Sequence, residues 1–519
     1  MPEINVPESF NAASYFVDRN LEQGRAGSPA IFCGDRQVSY GELAENVNRT
    51  GNALLQLGVQ MEQRVLLVLL DGPEFAYAFF GAMKIGAVPV PVNTMLKPQD
   101  YEHFLADSRA RVLIVSQELL PSVRDAAGRS RYLEHALVAG HADGYQSFEE
   151  VIAKQSEQLE PADTCKDDVA FWLYTSGTTG RSRAAVHLHH DMVYCYELYA
   201  RAILNVSATD RTFSIAKLYF AYGLGNALYC PLAAGATTVL FPGRPQPEAV
   251  FDVVRRYQPT LFFGVPTAYA AMLRAAEQDK SLEMPSVRLA VSAGEALPAS
   301  LFARWRERFG VDILDGIGST EILHIFLTNR ADDIRPGSSG KPVAGYDLKV
   351  VDEDGLPVLV GEVGNLMVRG ESTCAYYWNK HEASKRAIVG EWIRTGDKYR
   401  VDEDGYYWYA GRTDDMLKVG GIWVSPTEVE ATIVEFPGVL ECAVVGARDD
   451  DTLVKPKAFV VLNDQAAAGE GLANEMREFV KGRIAPYKYP RWIEFVPELP
   501  KTATGKIQRF KLRQSDVAD

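Results

Sequence analysis

Short β-branched or leucine-rich runs alternate with helix-length segments along most of this chain, and that rhythm limits its folds more than any other feature. Residues 64–70 read as a buried strand, 73–85 as a helix and 87–92 as the next strand; further strands are expected at 110–115, 237–241, 260–264 and 287–292. Parallel strands need such crossovers, and helices on both sheet faces leave the strands apolar throughout. At 519 residues the chain is too long for one core, so several folding units are expected. From about residue 342 the texture changes to short strands separated by Asp-Gly turns at 354–355 and 404–405, with an aromatic run at 406–409. The last unit reads β, β, α, β over 440–445, 457–462, 471–484 and 492–496. The expected class is therefore α/β. A large multi-subdomain N-terminal domain, 1–413, contains parallel sheets and a small β-rich subdomain at about 342–413, and an α+β C-terminal domain spans 414–519.

In open α/β sheets ligands bind at loops that leave the carboxyl ends of strands, which directs attention to the loops after Tyr174, Gly264, Ser292 and Leu314. The first is the most telling. A buried run at 170–174 enters Thr175-Ser176-Gly177-Thr178-Thr179-Gly180, with Arg181 and Arg183 directly behind. Glycines let the backbone approach an anion and turn N–H groups toward it, the hydroxyls donate further bonds, and the arginines bring charge. It is a phosphate-holding loop, but not a Walker A loop, because no Gly-Lys-Ser/Thr follows.

The 54 basic and 68 acidic residues leave a net charge of −14, which disfavours nonspecific contact with nucleic acid or an anionic membrane. Anionic substrates must be met by local basic groups such as Lys501, Lys506, Arg509, Lys511 and Arg513, which run without an acid until Asp516. Cys33, Cys165, Cys195, Cys230, Cys374 and Cys442 form no metal-ligand spacing and read as reduced thiols. The first residues carry no basic region followed by an apolar stretch, and no apolar run approaches about 18 residues. A cytoplasmic enzyme is expected, with no nucleic-acid or membrane partner.

Four separated motifs fall in one order and resemble those of the adenylate-forming acyl-CoA synthetase superfamily. They are the phosphate loop, the Gly-Ile-Gly-Ser-Thr-Glu segment at 316–321, the pair Thr395-Gly396-Asp397 and Gly411-Arg412, and the Pro-Lys-Thr-Ala-Thr-Gly-Lys tail at 500–506. The resemblance implies ATP, Mg²⁺ and coenzyme A as cofactors and a two-step reaction: a carboxylate attacks the α-phosphate of ATP, then the acyl-adenylate passes to CoA. It also implies roles. Lys506, Glu321 and Thr320 would be catalytic, with Lys506 bridging the substrate carboxylate and an α-phosphate oxygen. Glu321 and Thr178 would face Mg²⁺. Thr175, Ser176, Gly177, Thr178, Thr179, Gly180 and Arg183 would hold phosphates. Gly294, Glu295, Asp315, Gly316, Ile317, Gly318 and Ser319 would surround the adenylate, with Asp397 on the ribose and Arg412 between ribose and phosphate. The C-terminal domain would be mobile, turning at Asp414 to exchange Lys506 for Lys418, Gly420 and Gly421, which would line the CoA channel. Lys506 also lies in a context that lysine acetyltransferases favour in this family. A homodimer remains possible.

Two departures stand out. Ser182-Arg183-Ala184 replaces the usual Pro-Lys-Gly, exchanging a point charge for a fork. Ile317 stands where the family often stacks an aromatic residue on adenine.

The acyl pocket of the family is lined by the segment that here runs 217–229, and it contains no acid, so no substrate ammonium would be paired there. Tyr219, Phe220, Ala221, Tyr222 and Gly223, with Ile322 and His324, place aromatics beside small residues. That pattern suits a flat ring, although it would also serve as ordinary core. Together with the tail, these segments are similar to those of bacterial benzoate-CoA ligases. The implied substrate is a small aromatic carboxylate, benzoate first, with 4-hydroxybenzoate or another substituted benzoate as the alternative. A carrier-protein-loading aryl adenylation enzyme is the further alternative.

Overall fold

The computed structural model describes residues 4–175, 182–413, 415–419, 422–449, 454–464, 468–484, 488–501 and 507–515. The expected alternation is present. One sheet joins Val88–Pro91, Arg64–Val68, Val112–Ser116, His135–Ala139 and Gln146–Ser147 in that order, all parallel. A second has a parallel heart running Ile313–Gly318, Leu289–Ser292, Leu261–Gly264, Arg211–Ser214, Thr237–Val239 and Pro29–Cys33, with antiparallel strands added at both edges.

Period-two alternation decides which face each strand residue serves. Phe262 packs with Tyr269, Phe302 and Trp305 beneath the helices Pro266–Gln278 and Ala299–Phe309. Its neighbours Leu261 and Phe263 join the other, larger core that includes Leu224, Tyr229 and Phe326. The helix Tyr40–Gln56, which contributes Leu43, Val47 and Leu54 to that core, opens with a reciprocal cap between Ser39 and Glu42.

Two features differ from the sequence reading. The strand into the phosphate loop, Val169–Thr175, is not part of a parallel sheet. It returns antiparallel in Arg183–Leu188, with Thr175 opposite Arg183, and Tyr376–Tyr377 adds a third strand. An apolar run specifies a buried strand but not the direction of its partner. The C-terminal part also has more elements than β, β, α, β. A hairpin of Leu417–Val419 and Ile422–Val424 and a helix Pro426–Val434 precede the strands Val439–Arg448, Val454–Leu462 and Trp492–Phe495, and a helix Arg509–Ser515 follows them. Between the two regions lies an antiparallel sheet of Asp347–Val351, Gly364–Arg369, Trp392–Val401, Ile388–Val389 and Tyr407–Arg412. All six cysteines are free. Among the described residues no helix is long and apolar enough to cross a membrane.

Candidate active site

The carboxyl ends of two adjacent parallel strands in the second sheet carry one group of the predicted residues. Ile313–Gly318 carries Asp315, Gly316, Ile317 and Gly318 and continues through Ser319 into a 3₁₀ turn, Thr320–Ile322, capped by the Ser319 hydroxyl on the Ile322 N–H. Gly294, with φ +91°, and Glu295 lie on the loop leaving Leu289–Ser292. Asp315 is 4% exposed, and burial pushes its carboxyl well above the usual carboxylate range.

Three consecutive carbonyls of that turn are tethered by remote groups. Thr320 O accepts from His187 Nε2 at 2.8 Å, Glu321 O from the Cys374 N–H at 2.7 Å, and Ile322 O from Ser372 Oγ at 2.8 Å. His187 is itself held at its other nitrogen by Asp191 Oδ2, 2.7 Å away, so this fully buried ring is fixed at both ends. Leu323 follows with φ +70°, a conformation that costs a β-carbon-bearing residue about 1–3 kcal/mol and persists where the surroundings over-determine it. The Glu321 carboxylate is fixed as well, through the Tyr377 hydroxyl, which donates to Oε1 at 2.6 Å. No group of three or more metal-ligating side chains occurs among the described residues. A single oriented carboxylate fits Mg²⁺, which takes the rest of its shell from phosphates and water, and does not fit an all-protein cation cage.

The third motif also assembles. Asp397 and Arg412 are directly opposite each other on paired strands, and Arg412 Nη1 donates to Asp397 Oδ1 at 3.0 Å. The carboxylate raises the guanidinium's proton affinity further.

Of the predicted pocket residues, Tyr222 packs against His324, and two further tyrosines join it there. The His324 ring is 5.1 Å from that of Tyr199 and 6.2 Å from those of Tyr222 and Tyr229, centroid to centroid. Tyr199 and Tyr229 both lie in widened π-helical turns, Tyr196–Arg201 and Gly225–Tyr229, a helix defect that recurs at functional sites. Tyr222 is hooked to the sheet ends by its hydroxyl, which donates to Val291 O at 3.0 Å and Gly264 O at 3.3 Å. Ala221 and Gly223 are buried beside it, and Ile322 is fully buried under the turn. Tyr219 and Phe220 pair with each other, 4.5 Å apart. The segment is anchored at its start. Lys217 donates to the carbonyls of Phe241 and Gly243, and the Leu218 N–H donates to Asp71 Oδ1.

Gly225 permits this packing. A β-carbon there would meet His324 Cδ2 at 2.2 Å and Nε2 at 2.5 Å, closer than any real contact. Gly225→Ala should therefore displace the ring, lower stability by about 1–3 kcal/mol as overpacking does, and raise KM for the aromatic acid without changing KM for ATP. Steady-state kinetics with each substrate varied in turn checks this.

Both ring nitrogens of His324 lack a hydrogen-bond partner among the described residues, and burial lowers the ring's pKa to about 3. A histidine depressed in the fold from its ordinary 6.5 contributes stability that is full above 6.5 and falls as the pH drops toward 3. From pH 7 to 5 the loss is about 2 kcal/mol, at 1.36 kcal/mol per pKa unit. His324→Leu should remove that share of the pH dependence, read by urea unfolding of both proteins at the two pH values.

Other predicted residues stand as follows. Arg183 stacks on Tyr377, its guanidinium carbon 4.6 Å from the ring centroid. Lys418 lies in the Leu417–Val419 strand of the hairpin. Ser176, Gly177, Thr178, Thr179, Gly180, Asp414, Gly420, Gly421 and Lys506 lie outside the described residues. Sequence reasoning missed His187, Asp191, Tyr199, Ser372 and Tyr377, and placed Tyr229 in the pocket-lining segment without singling it out. A histidine inside the strand Arg183–Leu188, following the apolar run 184–186 and four residues before a buried aspartate, was the one local signal. A cavity of about 420 Å³ lined by Arg25, Asp210, Arg211 and Thr260 opens at the amino ends of the same strands, away from every motif.

Comparison with known proteins gives the family. Residues 17–378 match the AMP-binding enzyme family and 428–506 the AMP-binding enzyme C-terminal domain. The chain is 53% identical to a benzoate–CoA ligase of Thauera aromatica, over 99% of this chain and 98% of the relative. It is 47% identical to a 4-hydroxybenzoate–CoA/benzoate–CoA ligase of Rhodopseudomonas palustris, over 97% and 94%. Among solved structures, the anthranilate CoA ligase AuaEII in complex with anthranoyl-AMP superposes with a TM-score of 0.94 at 48% identity, covering 98% of both chains.

Proposed function

This chain belongs to the AMP-binding enzyme family, and from that premise we propose that it is an ATP-dependent aryl-CoA ligase converting benzoate, ATP and CoA to benzoyl-CoA, AMP and pyrophosphate. The observation that carries the aryl assignment is the aromatic enclosure of Tyr199, Tyr222 and Tyr229 around His324, three residues from Glu321. Flat rings pack against such walls, and the acid-free segment 217–229 offers an ammonium no partner.

In the first step a benzoate oxygen attacks the α-phosphorus; the new O–P bond forms as the bond to pyrophosphate breaks. Lys506 spans the two reacting anions, and the loop 175–180 with Arg183 holds the phosphates. Asp397 accepts from the ribose hydroxyls while Arg412 faces the phosphate side. Mg²⁺, when bound at Glu321, offsets phosphate charge during the displacement. In the second step the C-terminal domain turns about Asp414 and presents Lys418 with Gly420 and Gly421. The CoA thiol gives up its proton as its sulfur attacks the acyl carbon, the C–S bond forms, and AMP leaves with the electron pair of the acyl–phosphate bond. Such rotation gates the chemistry without accelerating it. Acetylation of Lys506 would remove the bridging charge and stop the first step alone.

One observation favours the second reading, a ring-substituted benzoate: the two nitrogens of buried His324, which have no hydrogen-bond partner among the described residues. A buried polar group without a partner is costly, and a hydroxyl or amino substituent would satisfy it. Pyrophosphate release, measured with benzoate, 4-hydroxybenzoate, 2-aminobenzoate, cinnamate and hexanoate, each with and without CoA, decides the matter. Highest kcat/KM on benzoate with thioester formed supports the first reading. A large preference for a substituted ring moves the substrate, and turnover only with a carrier protein in place of CoA overturns the CoA assignment.

A further inference from the structure

Tyr377 lies outside every motif, yet it touches two of them. It sits in the short strand Tyr376–Tyr377, opposite Ala185 of the strand that follows the phosphate loop, and is 4% exposed. Its hydroxyl donates to Glu321 Oε1 at 2.6 Å. Its ring carries the Arg183 guanidinium at 4.6 Å, while Arg183 Nε is buried without a hydrogen-bond partner among the described residues. The backbone below is fixed at both ends: the Tyr377 N–H donates to Ser384 Oγ at 3.0 Å, and the preceding Cys374 N–H holds Glu321 O.

We propose that Tyr377 is a positioning residue for adenylation, which holds the Glu321 carboxylate in the orientation that receives the metal and is itself clamped by Arg183. This rests on the reading of Glu321 as the Mg²⁺ ligand. An unrestrained glutamate has three side-chain torsions to fix on meeting a cation, and a short hydrogen bond to one oxygen fixes them beforehand while leaving the second oxygen to point at the ligand. The cation above the ring face keeps the phenol in place, since a guanidinium is attracted to an aromatic face. Arg183 thus serves the metal site through Tyr377, in addition to any contact with phosphate. That accounts for a fork standing where the family usually has lysine, because a planar guanidinium stacks on a ring and an ammonium does not.

The test reads metal coupling in binding, apart from turnover. Affinity for α,β-methylene-ATP is measured by calorimetry with and without Mn²⁺, for wild type, Tyr377→Phe, Glu321→Gln and the double variant. The Tyr377→Phe variant keeps the ring beneath Arg183 and loses only the hydroxyl. Its metal-dependent gain in nucleotide affinity should fall about tenfold, with metal-free affinity unchanged, and the Mg²⁺ concentration for half-maximal adenylation should rise by a similar factor with kcat preserved at saturating Mg²⁺. The double variant should match Glu321→Gln alone. If Tyr377→Phe leaves the gain intact while Glu321→Gln abolishes it, the positioning role is wrong and the metal reading stands. If Glu321→Gln itself leaves the gain intact, the metal reading fails and the positioning role falls with it.

Discussion

Replacing Lys506 by alanine is expected to slow benzoate-dependent pyrophosphate release on the order of 10²–10³-fold, the loss produced by removing one preorganised donor at a developing charge. Conversion of supplied benzoyl-AMP and CoA to the thioester should stay near wild type. The asymmetry follows from the chemistry. In the proposed reaction the first step drives a carboxylate against a phosphate, and an ammonium bridging them would offset that repulsion. In the second step the adenylate is already formed, and the bridging cation has nothing left to join. Fold damage is not a concern for interpretation, because the described residues flanking 502–506 are tied together by a Lys501–Ile507 bridge and by the Gln508 N–H on Pro500 O at 2.8 Å. Lys506→Arg keeps the charge but changes its shape, so partial rescue would point to charge and none to geometry. Equal loss in both steps would overturn the bridging role. Acetylation of Lys506 should reproduce the alanine phenotype, with mass spectrometry giving the modified fraction.

The parallel strands were legible because strands buried on both faces must be apolar throughout; Leu261–Gly264 and Leu289–Ser292 fall inside the expected 260–264 and 287–292. The direction of a strand's partner is not written in its own residues, which is why the hairpin at the phosphate loop went unread. The helix Pro426–Val434 was missed for a different reason. Its Val, Thr and Ile content reads as strand, yet Ser425 caps it through the Glu428 N–H and Pro426 opens it, a start signal that outweighs β-branched propensity.

The candidate site divides in the same way. Residues that approach the nucleotide occur in compact motifs, because glycines, hydroxyls and charges must meet a common ligand and local spacing records that. Residues that hold those motifs in place leave no such record. Tyr377 meets Glu321 across 56 positions, and His187 meets the Thr320 carbonyl across 133. Only the fold brings them together, and any donor of suitable reach would have served.

Asp397→Ala should raise KM for ATP on the order of 10²-fold and lower the protein's stability, while KM for benzoate at saturating ATP changes little. Asp397 is 5% exposed and lies opposite Arg412, whose Nη1 donates to it at 3.0 Å and to Thr395 O at 3.3 Å. Truncating one member of a fully desolvated charge pair costs about 2–5 kcal/mol; the Arg412 side chain is 46% exposed, so solvent screens the charge left behind and the loss here falls below that range. In the proposed role the deletion would also take away the acceptor for the ribose hydroxyls, so binding and folding would suffer together. Two further variants separate these effects. Asp397→Asn keeps an acceptor of the same shape and removes only the charge, so a large effect on ATP that survives in Asn belongs to the Asp397–Arg412 charge pairing, and one that disappears belongs to lost hydrogen bonding. Arg412→Ala alone and combined with Asp397→Ala closes a double-mutant cycle, in which residues in contact are non-additive by about 0.5–3 kcal/mol. An unchanged KM for ATP in Asp397→Ala would remove this pair from the nucleotide site and leave it a cross-strand contact of the β-rich sheet.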